Sequence, residues 1–339
     1  MHIGLTGWQS EAAEGDHREL LTIFQRADEL GFDSLWLAEY HFKRIGLTYP
    51  SPILLAAAVF ARTERMRVGT GITLVPLHHP LILAEQLAQL DVQSNGRLDV
   101  GIGRPNDPAV LAALGIDPAT KHERFVAGYE LLRAAWTDGR VASAAGPWRF
   151  DATGVGPAPA QQPHPPIYVA GMSAESIGFA VERRLPVLLS LERPEGLQLE
   201  RWRDLPKSPE QAADLWRFSL NRYVFIGRTT AEAHARLDRA LMPILRRRRW
   251  APVDVNDPEA VRAARATLIR DQAIVGSPDE CVAEIARLVR EVGTGHLRCV
   301  FNALGGLDRA TTLAQMELFA AEVLPACRAI GPTVPVTAA

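Results

Sequence analysis

The sequence predicts a single (β/α)8 TIM barrel with insertions, on three observations. Short apolar strand signals alternate with amphipathic helix signals along nearly the whole chain, eight strands can be counted, and 339 residues leave room for excursions. Continuously apolar strands separated by helices belong to a parallel sheet covered on both faces. Eight such units favour a closed barrel over an open doubly wound sheet.

The elements follow in order. "HIGLTG" is the first strand, and "DHRELLTIFQRADEL" then places Leu20, Phe24, Ala27 and Leu30 on one helical face, with Gly31 just past the last turn. "DSLWLA" is the second strand, and "SPILLAAAVFAR" starts a helix with Ser51 as N-cap and Pro52 at the first helical position. "MRVGTGITLV" is followed by "PLILAEQLAQLDV", a helix carrying Leu83, Leu87 and Leu90. "GRLDVGIG" precedes the helical "KHERFVAGYELLRAAW", and "PIYVAG", "SAESIGFAVERR" and "LPVLLS" repeat strand, helix, strand. The seventh strand, "RYVFIG", leads into "TTAEAHARLDRALM", where Thr229 and Glu232 have capping-box spacing. Ser277 and Glu280 repeat that spacing before "CVAEIARLVREV"; "HLRCVFNA" and "LAQMELFAAEVL" complete the set.

Residues 1–330 are therefore expected to form one barrel domain, and 331–339 a tail. Three segments exceed a minimal barrel. Residues 139–165 are Gly/Pro-rich and predict a hairpin insertion plus extended chain, and 191–210 form a charged excursion. Residues 246–272 open on four arginines and carry the helix-start signal Asp257-Pro258, an insertion or lid over the barrel.

Composition narrows the function classes. A net charge of −2 gives no global attraction to nucleic acid or to an anionic membrane surface. No apolar run approaches the roughly eighteen residues of a spanning helix, and no secretory signal is read at the start. Cys281, Cys299 and Cys327 lie far apart without metal-ligand spacing, and the nine histidines form no metal motif. The expectation is a reduced, cytoplasmic compartment and no metal.

Barrel chemistry sits at the C-terminal ends of the strands and in the loops after them. The second strand ends in Glu39, Tyr40 and His41, and the third in Gly71, Ile72 and Thr73, followed by His78 and His79. The fourth ends in "GIGRPND", which lacks the third glycine of a dinucleotide fingerprint and is interrupted by Pro105. The fifth ends in "AGMSAES". There Gly171 permits close backbone approach, Ser173 caps the next helix, and Ser176 lies in a first turn whose N–H groups favour an anion. Arg104 and Arg124 add charge and bidentate geometry for a phosphate. Ordinary capping plus two surface arginines accounts for the same pattern. His41 and the His78-His79-Pro80 turn equally suit polar loop structure, and Trp8 and Trp36 suit barrel packing, with Trp8 alternatively lining a pocket. The run Arg246–Arg249 reads as a solvated helix end.

"GFDSLWLAEYHF", "VGTGITLVPLHHPLILAEQLAQLDVQSNGRLDVGIGR" and "PIYVAGMSAESIGFA…LPVLLS" resemble the corresponding segments of the bacterial-luciferase-like flavin-dependent monooxygenases, and the likeness continues through "VGSPDECVAEI" to "MELFAAEVLPA". The resemblance implies a (β/α)8 barrel that takes reduced FMN from a separate flavin reductase and lets it react with O2. A flavin C4a-peroxide then oxygenates a small organic substrate. It implies a phosphate cradle of Arg104, Arg124, Ser173 and Ser176 beside Gly171 and Met172, and a non-proline cis peptide at Gly71-Ile72 under the flavin. It further implies proton handling by His41, Tyr40 and His79, a buried structural Glu85, a lid at 246–272 and a homodimer.

Two departures qualify that expectation. Tyr40 stands where the family's "E-H-H-F" has its first histidine, and a phenol is a poor base at neutral pH although it can donate a hydrogen bond. Gly103 replaces the reactive cysteine of bacterial luciferase, opening space beside the flavin. Aldehyde oxidation with light emission is thereby put in doubt, and oxygenation of another substrate is left open. Two alternatives stand beside it: a hydride-transfer oxidoreductase using a 5-deazaflavin coenzyme, and a non-catalytic flavin-binding partner subunit.

Overall fold

The computed structural model describes residues 1–8, 17–42, 49–171, 173–191, 193–247 and 251–331. The first half of the barrel comprises β1 (His2–Leu5), α1 (His17–Leu30), β2 (Ser34–Leu37), α2 (Pro52–Phe60), β3 (Arg67–Leu74), α3 (Pro80–Gln93), β4 (Leu98–Gly103), α4 (Pro108–Ala113) and α5 (Lys121–Asp138). An antiparallel pair, β5 (Arg140–Ser143) and β6 (Phe150–Gly154), follows. The second half contains β7 (Ile167–Ala170), α6 (Ala174–Glu182), β8 (Val187–Leu188), α7 (Glu195–Asp204), α8 (Pro209–Ala213), β9 (Ser219–Ile226), α9 (Thr230–Arg247) and α10 (Pro258–Gln272). It closes with β10 (Ala273–Gly276), α11 (Pro278–Val292), β11 (His296–Val300), α12 (Arg309–Glu322) and α13 (Leu324–Arg328).

The eight strands expected from sequence are β1, β2, β3, β4, β7, β8, β9 and β11. They run parallel and close on themselves, because β8 pairs with β9 and β11 with β1. The fold is the expected (β/α)8 barrel. The added strand β10 was not legible: four residues between α10 and the capped α11 carry no period of their own. It pairs with the upper part of β9, Ala273 opposite Tyr223 and Gly276 opposite Ile226, while the lower part of β9 pairs with β11.

Local rules account for the helix ends. Ser51 Oγ accepts from Leu54 N ahead of Pro52, and Ser277 with Glu280 forms a complete capping box. Ahead of α9 the device is shifted: Thr229 Oγ1 accepts from Glu232 N, but the Glu232 carboxylate accepts from Arg228 N instead. Glu85, expected buried, is exposed. It lies on the outer face of α3, whose Leu83, Ala84 and Leu87 cover the barrel.

Inside the barrel, large residues fill space left by glycines. A Cβ at Gly69 would lie 2.5 Å from the Trp36 ring, and one at Gly101 only 2.1 Å from the Thr70 carbonyl oxygen. The N-terminal mouth is sealed by polar pairing. Arg67 holds both oxygens of Asp99, at 2.9 and 2.7 Å, and reaches Gln161 Oε1 at 3.0 Å. Gln161, in the extended chain after β6, donates to the buried Asp91 through its backbone N and its side chain, at 2.8 and 2.7 Å. At the other end α9 and α10 pack Leu237, Leu241, Ile244 and Leu268 over Tyr223 and Phe225 of β9.

Candidate active site

A cavity of about 830 Å³ opens at the C-terminal ends of the strands. Thr6 follows β1, Tyr40 follows β2, Gly71 and Ile72 lie on β3, and Arg104 follows β4; all line it. These positions lie on or just past the C-terminal ends of the strands, where a barrel gathers its loops.

On one side of this cavity the residues after β4 and β7 converge. Arg104 Nη2 donates to Ser176 Oγ at 2.8 Å and to Ser173 Oγ at 3.2 Å. Ser173 caps α6, its Oγ accepting from Ser176 N at 3.1 Å. Arg104 Nη1 lies 3.0 Å from His122 Nδ1 and is paired with the Glu175 carboxylate, which also meets His122 at 3.1 Å. The bond from Arg104 holds the Glu175 carboxyl below its ordinary range. Gly171 is required by this packing, since a Cβ there would lie 2.2 Å from Ser176 Cβ. Arg124 is placed elsewhere: its Nε donates to the Pro76 carbonyl at 3.0 Å and its guanidinium stacks 4.8 Å from the Trp148 ring centroid. It is not among the residues lining the cavity. Met172 lies outside the described residues.

The floor on the β3 side is the Gly71-Ile72 peptide, which is cis. Gly103 on β4 makes room for it, because a Cβ at Gly103 would lie 2.1 Å from Ile72 Cδ1.

The residues closing β2 divide into two roles. Glu39 is buried, and its Oε1 lies 2.6 Å from His41 Nε2 and 2.8 Å from His78 Nε2, while Oε2 accepts from Leu74 N at 2.9 Å. Burial acts to raise the Glu39 pKa, but the bonds from His41, His78 and Leu74 outweigh it and hold the carboxyl at about 2. Tyr40 is half exposed and lines the cavity; His41 and His79 do not. His79 precedes α3, its ring 5.9 Å from that of Phe150 in the β5–β6 pair. Trp8 is fully buried against Phe24.

Sequence reasoning missed the opposite wall. Asn221, Tyr223, Arg298 and Val300 line the cavity from β9 and β11. The signal was present: polar residues recur at alternate positions in "SLNRY" and "HLRCV", so they share one strand face. Arg193, Arg201 and Arg247 line it as well. Among the described residues no cluster of three or more acidic, histidine or cysteine side chains is arranged to hold a metal ion. No described helix is long and apolar enough to cross a membrane.

Comparison with known proteins identifies relatives of this fold. The chain is 29% identical over 331 residues to 4-hydroxyprotoasukamycin monooxygenase of Streptomyces nodosus subsp. asukaensis, covering 90% of this chain and 85% of that one. It is 33% identical over 166 residues to the oxygenase component of the flavin-dependent trigonelline monooxygenase of Acinetobacter baylyi, covering 48% of this chain and 46% of that one. The monooxygenase RslO1 from Streptomyces bottropensis superposes with a TM-score of 0.79 at 28% identity, over 96% of this chain and 99% of that one. The profile of the luciferase-like monooxygenases matches residues 3–296, and the chain belongs to that family.

Proposed function

We propose that this chain is the oxygenase component of a two-component flavin monooxygenase, taking reduced FMN from a separate reductase and using it with O2 to oxygenate a small organic substrate. The observation that carries this is the meeting of Arg104, Ser173 and Ser176 at the first turn of α6, beside a cavity floored by Gly71 and Ile72. The Acinetobacter relative, itself an oxygenase component, supports the separate reductase.

The residues fit the phosphate of a flavin mononucleotide. Arg104 already holds an anion, the carboxylate of Glu175, which is half exposed. Such an exposed pair contributes little, about 0–1 kcal/mol, and yields readily to a dianion that also reaches two hydroxyls and the N-terminus of α6. A cavity of about 830 Å³ lies at the upper end of the roughly 300–1,000 Å³ of ligand pockets, leaving space beyond a flavin ring.

When bound, reduced FMN supplies the electrons that activate O2. The protein does the rest. Arg104, Ser173 and Ser176 anchor the phosphate, and Gly71 and Ile72 support the ring, with Gly103 keeping their place clear. Tyr40 reaches the cavity with a phenol whose pKa lies near 10 in the free amino acid, so it donates a hydrogen bond to developing negative charge on oxygen. His41 acts through Glu39 rather than on the ligand, fixing the loop that carries Tyr40. Residues 246–272, of which 248–250 lie outside the described residues, are placed as the lid, and Arg247 and Gln272 line the cavity.

Oxygen uptake by the purified chain with reduced FMN and candidate substrates, and incorporation of labelled oxygen into the product, test this. Tighter binding of a reduced 5-deazaflavin than of reduced FMN, with substrate reduced and no oxygen consumed, would establish the hydride-transfer alternative in its place.

A further inference from the structure

We propose that Arg298 is the substrate-recognition residue of this cavity, and that it recognises an oxyanion, carboxylate or phenolate, on an otherwise apolar molecule. Arg298 faces inward from β11, one inward position below Val300, and is 5% exposed. Its guanidinium is held firmly. Nε donates to Ser219 Oγ at 2.8 Å, Nη2 donates to the Leu189 carbonyl at 2.7 Å, and the group lies 5.8 Å from the Trp36 ring centroid. All these partners are neutral. Nη1 makes no hydrogen bond to a described residue, and Arg298 lines the cavity.

A buried cation without a carboxylate partner is costly, and an anionic ligand is the missing counter-charge. Burial accordingly pushes the Arg298 pKa down to about 9. The surrounding field agrees. Among the described residues no Asp or Glu lines the cavity beside Arg298. A guanidinium with only neutral partners in a low-dielectric cleft selects an anion. Arg104 is taken by the cofactor phosphate. β11 stands four strands from β4 in either direction around the barrel, so Arg298 is on the far side from that cradle. Val300, Leu304 and Ile244 supply the apolar wall beside it.

Describing the anion as substrate rests on the oxygenase reading; the recognition itself does not. A reduced flavin ring carries similar anionic chemistry, so the test separates the two sources. Calorimetric titrations of the full chain would use benzoate, neutral benzamide of the same shape and, anaerobically, reduced FMN. Benzoate is expected to bind about tenfold or more tightly than benzamide. Arg298→Met is expected to abolish that preference while changing reduced-FMN affinity less than about threefold. Arg298→Lys keeps the charge but loses the planar donor, and is expected to weaken benzoate partially; it carries the test if the Met variant fails to fold. Equal binding of benzoate and benzamide by the unaltered chain overturns the proposal. So does a preference that survives both substitutions, or a loss confined to reduced FMN, which would assign the anion to the cofactor. Failure of the oxygenase reading is seen separately, as absent oxygen uptake with the benzoate preference intact.

Discussion

His41 Nε2 lies 2.6 Å from Glu39 Oε1, so the histidine that ends the second strand is held by a buried carboxylate rather than offered to the cavity. The same oxygen engages His78, and its partner oxygen engages the backbone at the end of β3. Glu39 thus ties together the ends of two neighbouring strands. Its carboxyl titrates near 2 in the folded chain, below the ordinary value of 4.5. A depressed carboxyl contributes stability that is fully present above about pH 4.5 and is lost as pH falls through about 2. Glu39→Gln should therefore destabilise the protein by about 1–3 kcal/mol at neutral pH, and by progressively less towards pH 2. Urea unfolding of both chains across that window measures the difference; parallel stability curves would refute the assignment.

Tyr40 is the group at this strand end that reaches the cavity. Tyr40→Phe removes the phenol while keeping the ring, and should lower the oxygenation rate about tenfold or more with little change in reduced-FMN binding. Tyr40→His tests whether a base is useful there, through the pH dependence of turnover. Unchanged rates for both variants would make Tyr40 a wall residue only.

Arg104→Met should weaken FMN binding by about tenfold to a hundredfold, the worth of a charge-assisted hydrogen bond, and leave riboflavin binding nearly unchanged. Ser176→Ala should act in the same direction more weakly. Fluorescence titration with the two flavins reads this directly, and equal losses for both would mean that the cluster does not hold the phosphate.

Two glycines on β4 should behave differently. Gly101→Ala drives its methyl against the Thr70 carbonyl, which belongs to the neighbouring strand and cannot move alone. Destabilisation of about 3 kcal/mol or more is expected on thermal or urea unfolding. Gly103→Ala clashes with the end of the Ile72 side chain, which can turn into the cavity, and its methyl lies at an ordinary 3.4 Å from the Ala170 carbonyl oxygen. Its expected effect is a small stability loss with weaker flavin binding, and the reverse order of stabilities would contradict this packing.

Much of the candidate site was legible in the sequence. Strand ends located Glu39, Tyr40, Gly71, Arg104 and Ser173, and capping chemistry singled out Ser173 and Ser176. Direction was the missing information. Arg124 belonged to the same expected set by type and position, yet it turns to Pro76 and Trp148, because the β5–β6 pair offers it an aromatic face. His41 was expected among the proton-handling groups and is held by Glu39. Glu85 was expected inside and lies outside, since the helix face is set by Leu83 and Leu87.

The sequence by itself determined the barrel and the end of it that carries the site. Apolar strands, amphipathic helices and caps such as Ser51 and Ser277 are short-range features, and their order specifies the architecture wherever they agree. Only the tertiary structure decided which side chains meet. Arg104 reaches Ser176 across 72 residues, Glu39 reaches His78 across 39, and Arg298 is oriented by the carbonyl of Leu189, 109 residues away. Closing the sheet brings such partners within a few ångströms, and the direction each side chain takes depends on packing against neighbours that local periodicity does not encode.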